Sequence, residues 1–387
     1  MKIIEGFLYF MLKNNSERDF YFFFAYSDLF GAEKISLIKN FFGTLEKAWL
    51  AEKIEWQEFK NSTVEKFFKF KKNFLPEREK NYLQENKINY LLLIDEDYPS
   101  NLKNISYPPP IIFYLGNIKL AEEQKEYSLA VVGSRIASAY GRQVTKELIA
   151  GLDKRFLIIS GLAFGIDTCA HREALANGLK TGAVLGGPLE KDIISCPAEN
   201  YWLAKKIITD GGFIVTEFPP HSLIQKSNFP RRNRIIAGLC LGTLVVEAGR
   251  KSGANKTAEY ARDANRVVMA VPGSIYSELS IGTNKLLKDH TDAVSGPEDI
   301  YRCLGIKMTN SKKSKIKNTE NIKKIAGEDG LKIIKSLLLL NKIANIEEII
   351  ENCQLDTPRV HSTLTILELS GIVSRNSSGQ ILLSKNL

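Results

Sequence analysis

The central part of the chain alternates short apolar runs with segments of helical periodicity. The runs rich in β-branched residues predict strands at 129–132, 156–160, 182–185, 213–216, 244–247 and 267–271. The intervening segments predict helices at 142–152, 166–177, 201–209, 231–239 and 254–264. Strands that alternate with helices form right-handed βαβ units and a parallel sheet. We therefore expect an α/β fold, a doubly wound Rossmann-like parallel sheet, at 81–305.

The N-terminal region has apolar residues at helical spacing and predicts a small helical domain, SAM-like or helix-hairpin-helix-like, at 1–80. Between Lys66 and Lys80, phenylalanines alternate with lysines. Such a segment either binds single-stranded nucleic acid or forms an amphipathic helix that packs its rings on a neighbour. A strand-like run follows at 90–94, and the prolines at 108–110 predict an irregular connection.

The C-terminal region, 325–387, predicts three helices followed by a β-hairpin, which together make a winged helix. The third helix starts at Thr357-Pro358 and ends before Gly371, and both ends carry residues that favour helix termini. This helix carries few cations, so we expect the module to contact protein, or DNA only weakly. Residues 306–324 lack apolar periodicity and predict a basic linker.

Positive charge is concentrated in two segments. The 387 residues carry 53 Lys and Arg against 44 Asp and Glu, a net charge of +9. Residues 307–324 hold seven lysines and one glutamate, and residues 226–251 hold six cations and one glutamate. The two segments together exceed the whole surplus, so the rest of the chain is near-neutral. We expect a polyanion to bind at the second segment.

The five cysteines have neither CxxC nor CxxxH spacing, which argues against a disulfide framework and a structural zinc. No run approaches the roughly 18 apolar residues of a membrane span, and the first residues lack a signal-peptide cleavage pattern. We expect a cytoplasmic protein without a membrane or metal partner.

Glycines and small polar residues follow the predicted strands, where an open parallel sheet binds its ligands. Gly133, Ser134 and Arg135 after the first strand offer backbone N–H groups and a planar cation to a phosphate. Gly161 and Gly165 after the second strand permit a tight turn. Neither a GxGxxG fingerprint nor a P-loop is present, so we expect no dinucleotide cofactor.

The strongest basic feature is the run Phe229-Pro230-Arg231-Arg232-Asn233-Arg234. The helix dipole disfavours cations at a helix start, so three arginines there favour an anionic ligand. The alternative is that they pair with carboxylates such as Glu217 or Glu247. Phe229 either stacks on a base or packs as a hydrophobic staple. Lys251 lies in a second basic loop, after the fifth strand.

Groups suited to catalysis are sparse. His171 follows Asp167 by four residues, which allows a hydrogen bond between them on one helix face. The spacing does not compel a catalytic assignment of Ser134, His171 and Asp167, and no His, Cys and carboxylate cluster has metal-ligand spacing. The sequence therefore predicts a binding protein with no catalytic residues, not an enzyme.

Ordered motifs lie between about 130 and 290. They include Gly133-Ser134-Arg135, Ser160-Gly161-Leu162-Ala163-Phe164-Gly165-Ile166-Asp167, Phe229-Pro230-Arg231-Arg232-Asn233-Arg234, Lys251-Ser252-Gly253-Ala254, Val271-Pro272-Gly273 and Gly282-Thr283-Asn284. Together they strongly resemble the bacterial DNA-processing protein A family (DprA, also called Smf).

The resemblance implies a cytoplasmic single-stranded DNA-binding protein of natural transformation. Members of this family protect incoming single strands, load the RecA recombinase onto them, act as homodimers and need no cofactor. The motif positions that match the family's DNA pocket are Gly133, Ser134, Arg135, Arg231, Arg232, Arg234 and Lys251, to which the base-stacking interpretation adds Phe229.

Two other functions are alternatives. Residues 242–247 partly match the PGGxGTxxE run of phosphoribohydrolases of the lysine-decarboxylase-like superfamily. The Pro-Gly-Gly is absent, however, and one extra residue precedes Glu247. A transcription regulator acting through the C-terminal module would instead prefer a duplex operator.

Overall fold

The computed structural model of the protein describes residues 15–190, 193–308, 318–340, 343–376 and 379–384. These residues form two units that divide between Met308 and Thr309. Of the predicted linker, residues 309–317 lie outside the described residues, as do residues 1–14 of the predicted N-terminal domain. The next described helix begins at Asn318, inside the segment predicted as linker.

The first unit contains eleven described strands and fourteen described α-helices. The strands are β1 (Asn89–Leu92), β2 (Ile111–Gly116), β3 (Ser128–Val132), β4 (Leu157–Ser160), β5 (Lys180–Val184), β6 (Leu189–Glu190), β7 (Ile193–Ile194), β8 (Phe213–Thr216), β9 (Gly242–Val245), β10 (Val267–Ala270) and β11 (Asp292–Ala293). The helices are α1 (Glu17–Tyr26), α2 (Ala32–Phe42), α3 (Leu45–Leu50), α4 (Asn61–Asn73), α5 (Pro76–Glu85), α6 (Ser100–Lys103), α7 (Leu120–Glu123), α8 (Ala139–Ala150), α9 (Ile166–Ala176), α10 (Tyr201–Thr209), α11 (Asn228–Gly238), α12 (Gly253–Asp263), α13 (Ile281–Lys288) and α14 (Pro297–Cys303).

Nine of these strands form one sheet in the order β1-β2-β8-β5-β4-β3-β9-β10-β11. From β8 to β11 the strands are parallel, as predicted. At the other edge β2 runs antiparallel to both β1 and β8, so the prediction of a wholly parallel sheet is wrong there. Sequence analysis also missed β2 itself. Its run of apolar and aromatic residues directly after the prolines at 108–110 was the available signal.

The central strand β3 packs between two layers of helices. Leu129 and Val131 share a core with α8 and α9, whereas Ala130 and Val132 share one with α11 and α12. This division follows from the geometry of a strand, because successive side chains point to opposite faces. The loops after the parallel strands therefore meet at one edge of the sheet, between the helical layers.

The N-terminal helices are held by aromatic packing. Phe24 of α1 is fully buried, and its ring centre lies 5.1 Å from that of Phe67 of α4, with the two rings nearly parallel. Tyr26 meets Phe113 of β2 edge-on at 5.7 Å, so these helices and the sheet share one core. Within α4, Phe67 is buried whereas Lys66 and Lys69 are exposed. The structure therefore supports the packing interpretation of the phenylalanine–lysine segment.

The described residues of the second unit form three helices and a three-stranded antiparallel sheet. Its elements are α15 (Asn318–Leu339, kinked at Gly327), β12 (Ile343–Ala344), α16 (Ile346–Cys353), α17 (Thr357–Leu369), β13 (Val373–Arg375) and β14 (Ile381–Leu383). The strand order is β12-β14-β13. The predicted start and end of α17 are confirmed: Asp356 caps it, and Gly371 follows with a φ of 69°. Over the described ranges of both units, no helix is long and apolar enough to cross a membrane.

His171 is a core residue of the first unit. Its imidazole is fully buried, and its Nδ1 lies 2.7 Å from Thr181 Oγ1. The Thr181 hydroxyl donates to the Ile158 carbonyl, so Nδ1 is the donor of the contact with Thr181. Burial, with a smaller contribution from the positive charge of Arg232, lowers the pKa of His171 to about 3.

Acid should destabilise the protein through His171. The unfolded imidazole binds a proton near pH 6.5, whereas the folded one stays neutral down to about pH 3. The unfolded state therefore binds more protons, and the free energy of unfolding falls as the pH drops below about 6.5. Between pH 6.5 and 4.5 this group should remove about 2–3 kcal/mol. Urea unfolding at the two pH values measures the loss.

The variant His171→Gln keeps a donor for Thr181 but does not titrate. Between the two pH values its free energy of unfolding should fall by about 2–3 kcal/mol less than that of the unaltered protein, because the contribution of His171 is absent. The control His290→Gln alters an exposed histidine and should lose as much stability as the unaltered protein. Equal losses in all three proteins would show that His171 is not the responsible group.

Candidate functional site

A cleft of about 820 Å³ lies at the carboxyl edge of the sheet, where the loops after β3, β4 and β9 meet the start of α11. Six of the eight predicted site residues line it: Gly133, Ser134, Arg135, Phe229, Arg232 and Lys251. Further lining side chains that the argument uses are Ile136, Asp167 and Lys226. Arg231 and Arg234 are not among the residues that line the cleft.

The loops after β3 and β4 are in direct contact. The Ile166 N–H donates to the Ser134 carbonyl at 3.1 Å. Gly165 has a φ of +74°, and a Cβ there would lie 2.1 Å from the Ser134 oxygen. Only glycine fits this conformation and this spacing. The second glycine of the predicted turn therefore fixes the position of Gly133 and Ser134 in the cleft.

Arg232 lies at the base of the cleft with only 4% of its surface exposed. Its Nη1 donates to the Gly161 carbonyl at 2.7 Å and to the Val184 carbonyl, and its Nε donates to Asn233 Oδ1. A Cβ on Gly161 would lie 2.4 Å from the guanidinium nitrogens. Gly161 is therefore required because it lets a buried guanidinium reach the ends of β4 and β5.

Burial lowers the pKa of Arg232 to about 10, against the opposing attraction of Asp167. Asp167 is buried too, and its desolvation raises its pKa even though the N–H groups of Gly161 and Ala163 donate to the carboxylate. Asp167 is the one carboxylate among the lining side chains that the structure describes. The base of the cleft thus holds one buried cation facing one buried acid.

Arg135 and Phe229 form the mouth of the cleft. The exposed guanidinium of Arg135 lies 5.4 Å from the centre of the half-buried Phe229 ring. The helix α11 begins at Asn228, three residues earlier than predicted, which places Phe229 in its first turn and not before it. This position does not fit a hydrophobic staple, since a staple requires a residue ahead of the N-cap. The ring lines the cleft with the Arg135 guanidinium over it.

Lys226 and Lys251 add two exposed cations to the lining. Lys251 comes directly before Ser252, whose side chain caps α12 by accepting from the Ala254 N–H. Within the part of the chain that the structure describes, neither lysine has an ion-pair partner, and the same holds for Arg135. These three cations are therefore uncompensated at the mouth of the cleft.

Arg231 and Arg234 are paired with acids. Both donate to Glu217 Oε2, at 2.7 and 2.6 Å, and Arg231 also binds Asp28 of the N-terminal region at 2.7 Å. Glu217 is nearly fully buried, and burial raises its pKa against the attraction of the two arginines. Of the two interpretations of the arginine run, the structure supports carboxylate pairing for these two residues.

The other groups considered for catalysis or metal binding do not come together among the described residues. His171 contacts Thr181, and Asp167 accepts from Gly161 and Ala163, so the hydrogen bond between His171 and Asp167 that their spacing allows is not formed. Glu247 is buried and accepts hydrogen bonds from the N–H and hydroxyl of Ser138. Among the described residues no group of His, Cys, Asp and Glu is placed to hold a metal ion.

Sequence reasoning did not assign Ile136 and Lys226 to the site. Ile136 follows the first-loop motif directly, and its side chain is 82% exposed at the cleft. Lys226 lies two residues before α11. In the sequence it contributes only to the net charge of residues 226–251. Their proximity to Arg135 and Phe229 in sequence was the available signal.

The chain is similar to proteins of known family. A family model described as DNA recombination-mediator protein A matches residues 89–305. DNA processing protein DprA of Streptococcus pneumoniae is 41% identical over 208 residues, covering 54% of this chain and 71% of that protein. Protein Smf of Synechocystis sp. is 34% identical over 298 residues, covering 75% of this chain and 73% of that protein.

A solved structure shows the same architecture. The X-ray structure of DprA from Streptococcus pneumoniae superposes with a TM-score of 0.57 and 35% identity, over 65% of this chain and 83% of that one. The family model covers the whole nine-stranded sheet and every residue of the cleft. The chain therefore belongs to the DNA recombination-mediator protein A family, whose members are called DprA or Smf.

Proposed function

We propose that this protein binds single-stranded DNA in the strand-end cleft and acts as a recombination mediator. As the resemblance implies, it protects incoming strands during natural transformation, loads RecA onto them, acts as a cytoplasmic homodimer and uses neither catalysis nor a cofactor. The observation that carries the proposal is the set of uncompensated cations, Arg135, Lys226 and Lys251, around one cleft. Membership of the family supports the DNA-processing role.

The charge of the cleft suits a phosphate backbone. Three exposed cations face one buried carboxylate, that of Asp167. Cations that lie close to phosphates release condensed counterions on binding, which is the dominant electrostatic gain in binding nucleic acid. Gly133 and Ser134 lack large side chains, which lets a phosphate approach the main chain, while the Ser134 hydroxyl holds the loop by donating to the Ile136 carbonyl.

An aromatic ring beside the cations favours a single strand over a duplex. The half-buried ring of Phe229 lies in the first turn of α11, and the exposed Ile136 lines the same cleft. A base offers a free face for stacking only when it is not paired and stacked within a duplex. Arg232, which is buried and bound to main-chain carbonyls, contributes positive potential, while Arg231 and Arg234 orient α11 through Glu217.

The remaining expectations are part of the proposal. The helix order and antiparallel sheet of the second unit support its assignment as a winged helix. On α17, His361, Ser362, Thr365, Ile366 and Leu369 are exposed and uncharged or apolar, and the one arginine of this helix, Arg359, is exposed but paired with Asp329. Such a surface suits a protein contact better than the negatively charged grooves of DNA.

Binding should depend on salt in proportion to the cations at the cleft. Three phosphate contacts predict a slope of about −2.1 in log affinity against log salt, or about a twentyfold loss between 50 and 200 mM. Arg135→Ala and Lys251→Ala should each reduce the slope to about −1.4. Fluorescence anisotropy with a labelled oligothymidylate, titrated at several salt concentrations, measures it.

The control for these variants is Lys146→Ala, which removes an exposed lysine from α8 outside the cleft lining. Its slope should equal that of the unaltered protein. Equal slopes in Arg135→Ala, Lys251→Ala and the control would show that DNA binds elsewhere.

Removing the ring of Phe229 should weaken binding without changing the salt slope. Phe229→Ala should cost about 1–3 kcal/mol of binding free energy, the usual value of one stacked base. Phe229→Trp should restore affinity, and Phe41→Ala, at a half-exposed ring of the N-terminal helices, should have no effect. Unchanged affinity in a folded Phe229→Ala protein would exclude stacking at this position.

The partner proposals are tested by electrophoretic mobility shift with single-stranded and duplex DNA of equal length, with and without RecA. A single strand should be bound at least tenfold more tightly than the duplex, and RecA should produce a slower complex only on the single strand. Preference for the duplex would favour the transcription-regulator alternative. Absence of the slower complex would remove the RecA step while leaving strand binding intact.

A further inference from the structure

The loop between β10 and α13 closes on itself beside the cleft. A Cβ on Gly273 would lie 2.1 Å from Ser280 Oγ, so the two ends of the loop touch. Inside it, the Ser277 N–H donates to the Ser274 carbonyl and the Tyr276 N–H donates to Ser274 Oγ. Compact loops with adjoining ends are often functional. We call residues 273–280 the rim loop.

The rim loop is anchored to neighbouring segments at several points. The Tyr140 hydroxyl donates to the carbonyl of Pro272 at 2.7 Å, and Asn284 exchanges two hydrogen bonds with Gly273. Near its other end, the Leu279 carbonyl accepts from the Ala248 N–H at 2.7 Å. The backbone of the loop is therefore fixed relative to the sheet.

The rim loop also forms part of the cleft. Leu279 lines the cleft. Gly249 lines it too, and a Cβ added at Gly249 would lie 3.6 Å from the carbonyl oxygen of Glu278 in the rim loop. Tyr276 is three positions before Leu279 in the chain, so their Cα atoms are at most about 11 Å apart. Tyr276 does not line the cleft itself and therefore lies close outside it.

Tyr276 is unusually exposed for a large aromatic side chain. It is 92% exposed, and its neighbour Ile275 is 82% exposed. The fixed backbone underneath means that the ring is presented at low conformational cost, as in other binding surfaces built from tyrosine. The adjoining loop carries the exposed cations Arg250 and Lys251, against the single acid Glu278 of the rim loop.

We propose that Tyr276 stacks on a base of the DNA strand where the strand leaves the cleft past the rim loop. This inference rests on the proposed function and extends the DNA path from the cleft to the rim loop. An aromatic face next to cations is the combination that single-strand-binding proteins use along their grooves. The cations favour a nucleic acid over a protein as the occupant of this surface.

The test compares two lengths of oligothymidylate, about 4 and about 16 nucleotides, which bracket the site sizes of single-strand-binding domains. Tyr276→Ala should bind the longer strand about 5- to 150-fold more weakly, the range that one stacked base provides. The shorter strand, which fills only the cleft, should bind normally. The salt slope should not change, because no phosphate contact is lost.

Two variants complete the test. Tyr276→Trp should keep the affinity for the longer strand, because an indole also stacks. Tyr107→Ala, which removes a tyrosine that is 70% exposed outside the cleft, should bind both lengths normally.

The possible failures are distinguishable. If Tyr276→Ala binds both lengths as tightly as the unaltered protein while Arg135→Ala binds weakly, the rim-loop inference is wrong and the cleft remains the site. If Tyr276→Ala binds DNA normally but loses self-association or the RecA complex, the surface docks protein and the inference is also overturned. If the unaltered protein binds neither strand, the proposed function itself fails.

Discussion

The cleft depends on one buried guanidinium. Arg232 extends from α11 to the ends of β4 and β5 and donates to the carbonyls of Gly161 and Val184. These donations connect α11 to two buried main-chain oxygens at the ends of the strands, and they hold the first turns of α11 against the sheet. Burial removes water from this cation and lowers the pKa of Arg232 to about 10. The close approach of the guanidinium also requires glycine at position 161. The positions of Phe229 and of the loop after β4 follow from this contact.

Around that contact the cations divide into two groups with different roles. Arg231 and Arg234 pair with the buried carboxylate of Glu217, and Asp28 joins them from the N-terminal helices. These ion pairs tie α11 to the end of β8 and to the N-terminal region. Arg135, Lys226 and Lys251 have no such partners among the described residues and face the cleft. The unpaired cations thus lie at the cleft, where they are available to an anionic ligand, whereas the paired arginines are neutralised by carboxylates and support the fold.

Much of this arrangement was predictable from periodicity. The strands β3, β4, β5, β8, β9 and β10 and the helices between them lie within a few residues of the predicted ranges, because buried parallel strands and amphipathic helices leave strong local patterns. Six of the eight predicted site residues reach one cleft, since loops after parallel strands meet at one edge of the sheet. Glu217 is one of the two carboxylates that the sequence analysis offers as partners of the arginines, whereas Asp28 was not predictable, because it is far away in sequence and no local pattern marks the pair. The antiparallel β2 was missed because the prolines before it suggested a loop. The exposure of Tyr276 is likewise a tertiary property, set by how the rim loop closes.

The most direct test of the account is photo-crosslinking of a single strand that carries 4-thiothymidine at successive positions, followed by mass spectrometry of the crosslinked peptides. Binding in the strand-end cleft predicts crosslinks to peptides that contain residues 133–136 and Phe229, and their loss in the Arg135→Ala and Lys251→Ala double variant. Crosslinks confined to the second unit, or unchanged in the double variant, would contradict the assignment of the cleft as the DNA site.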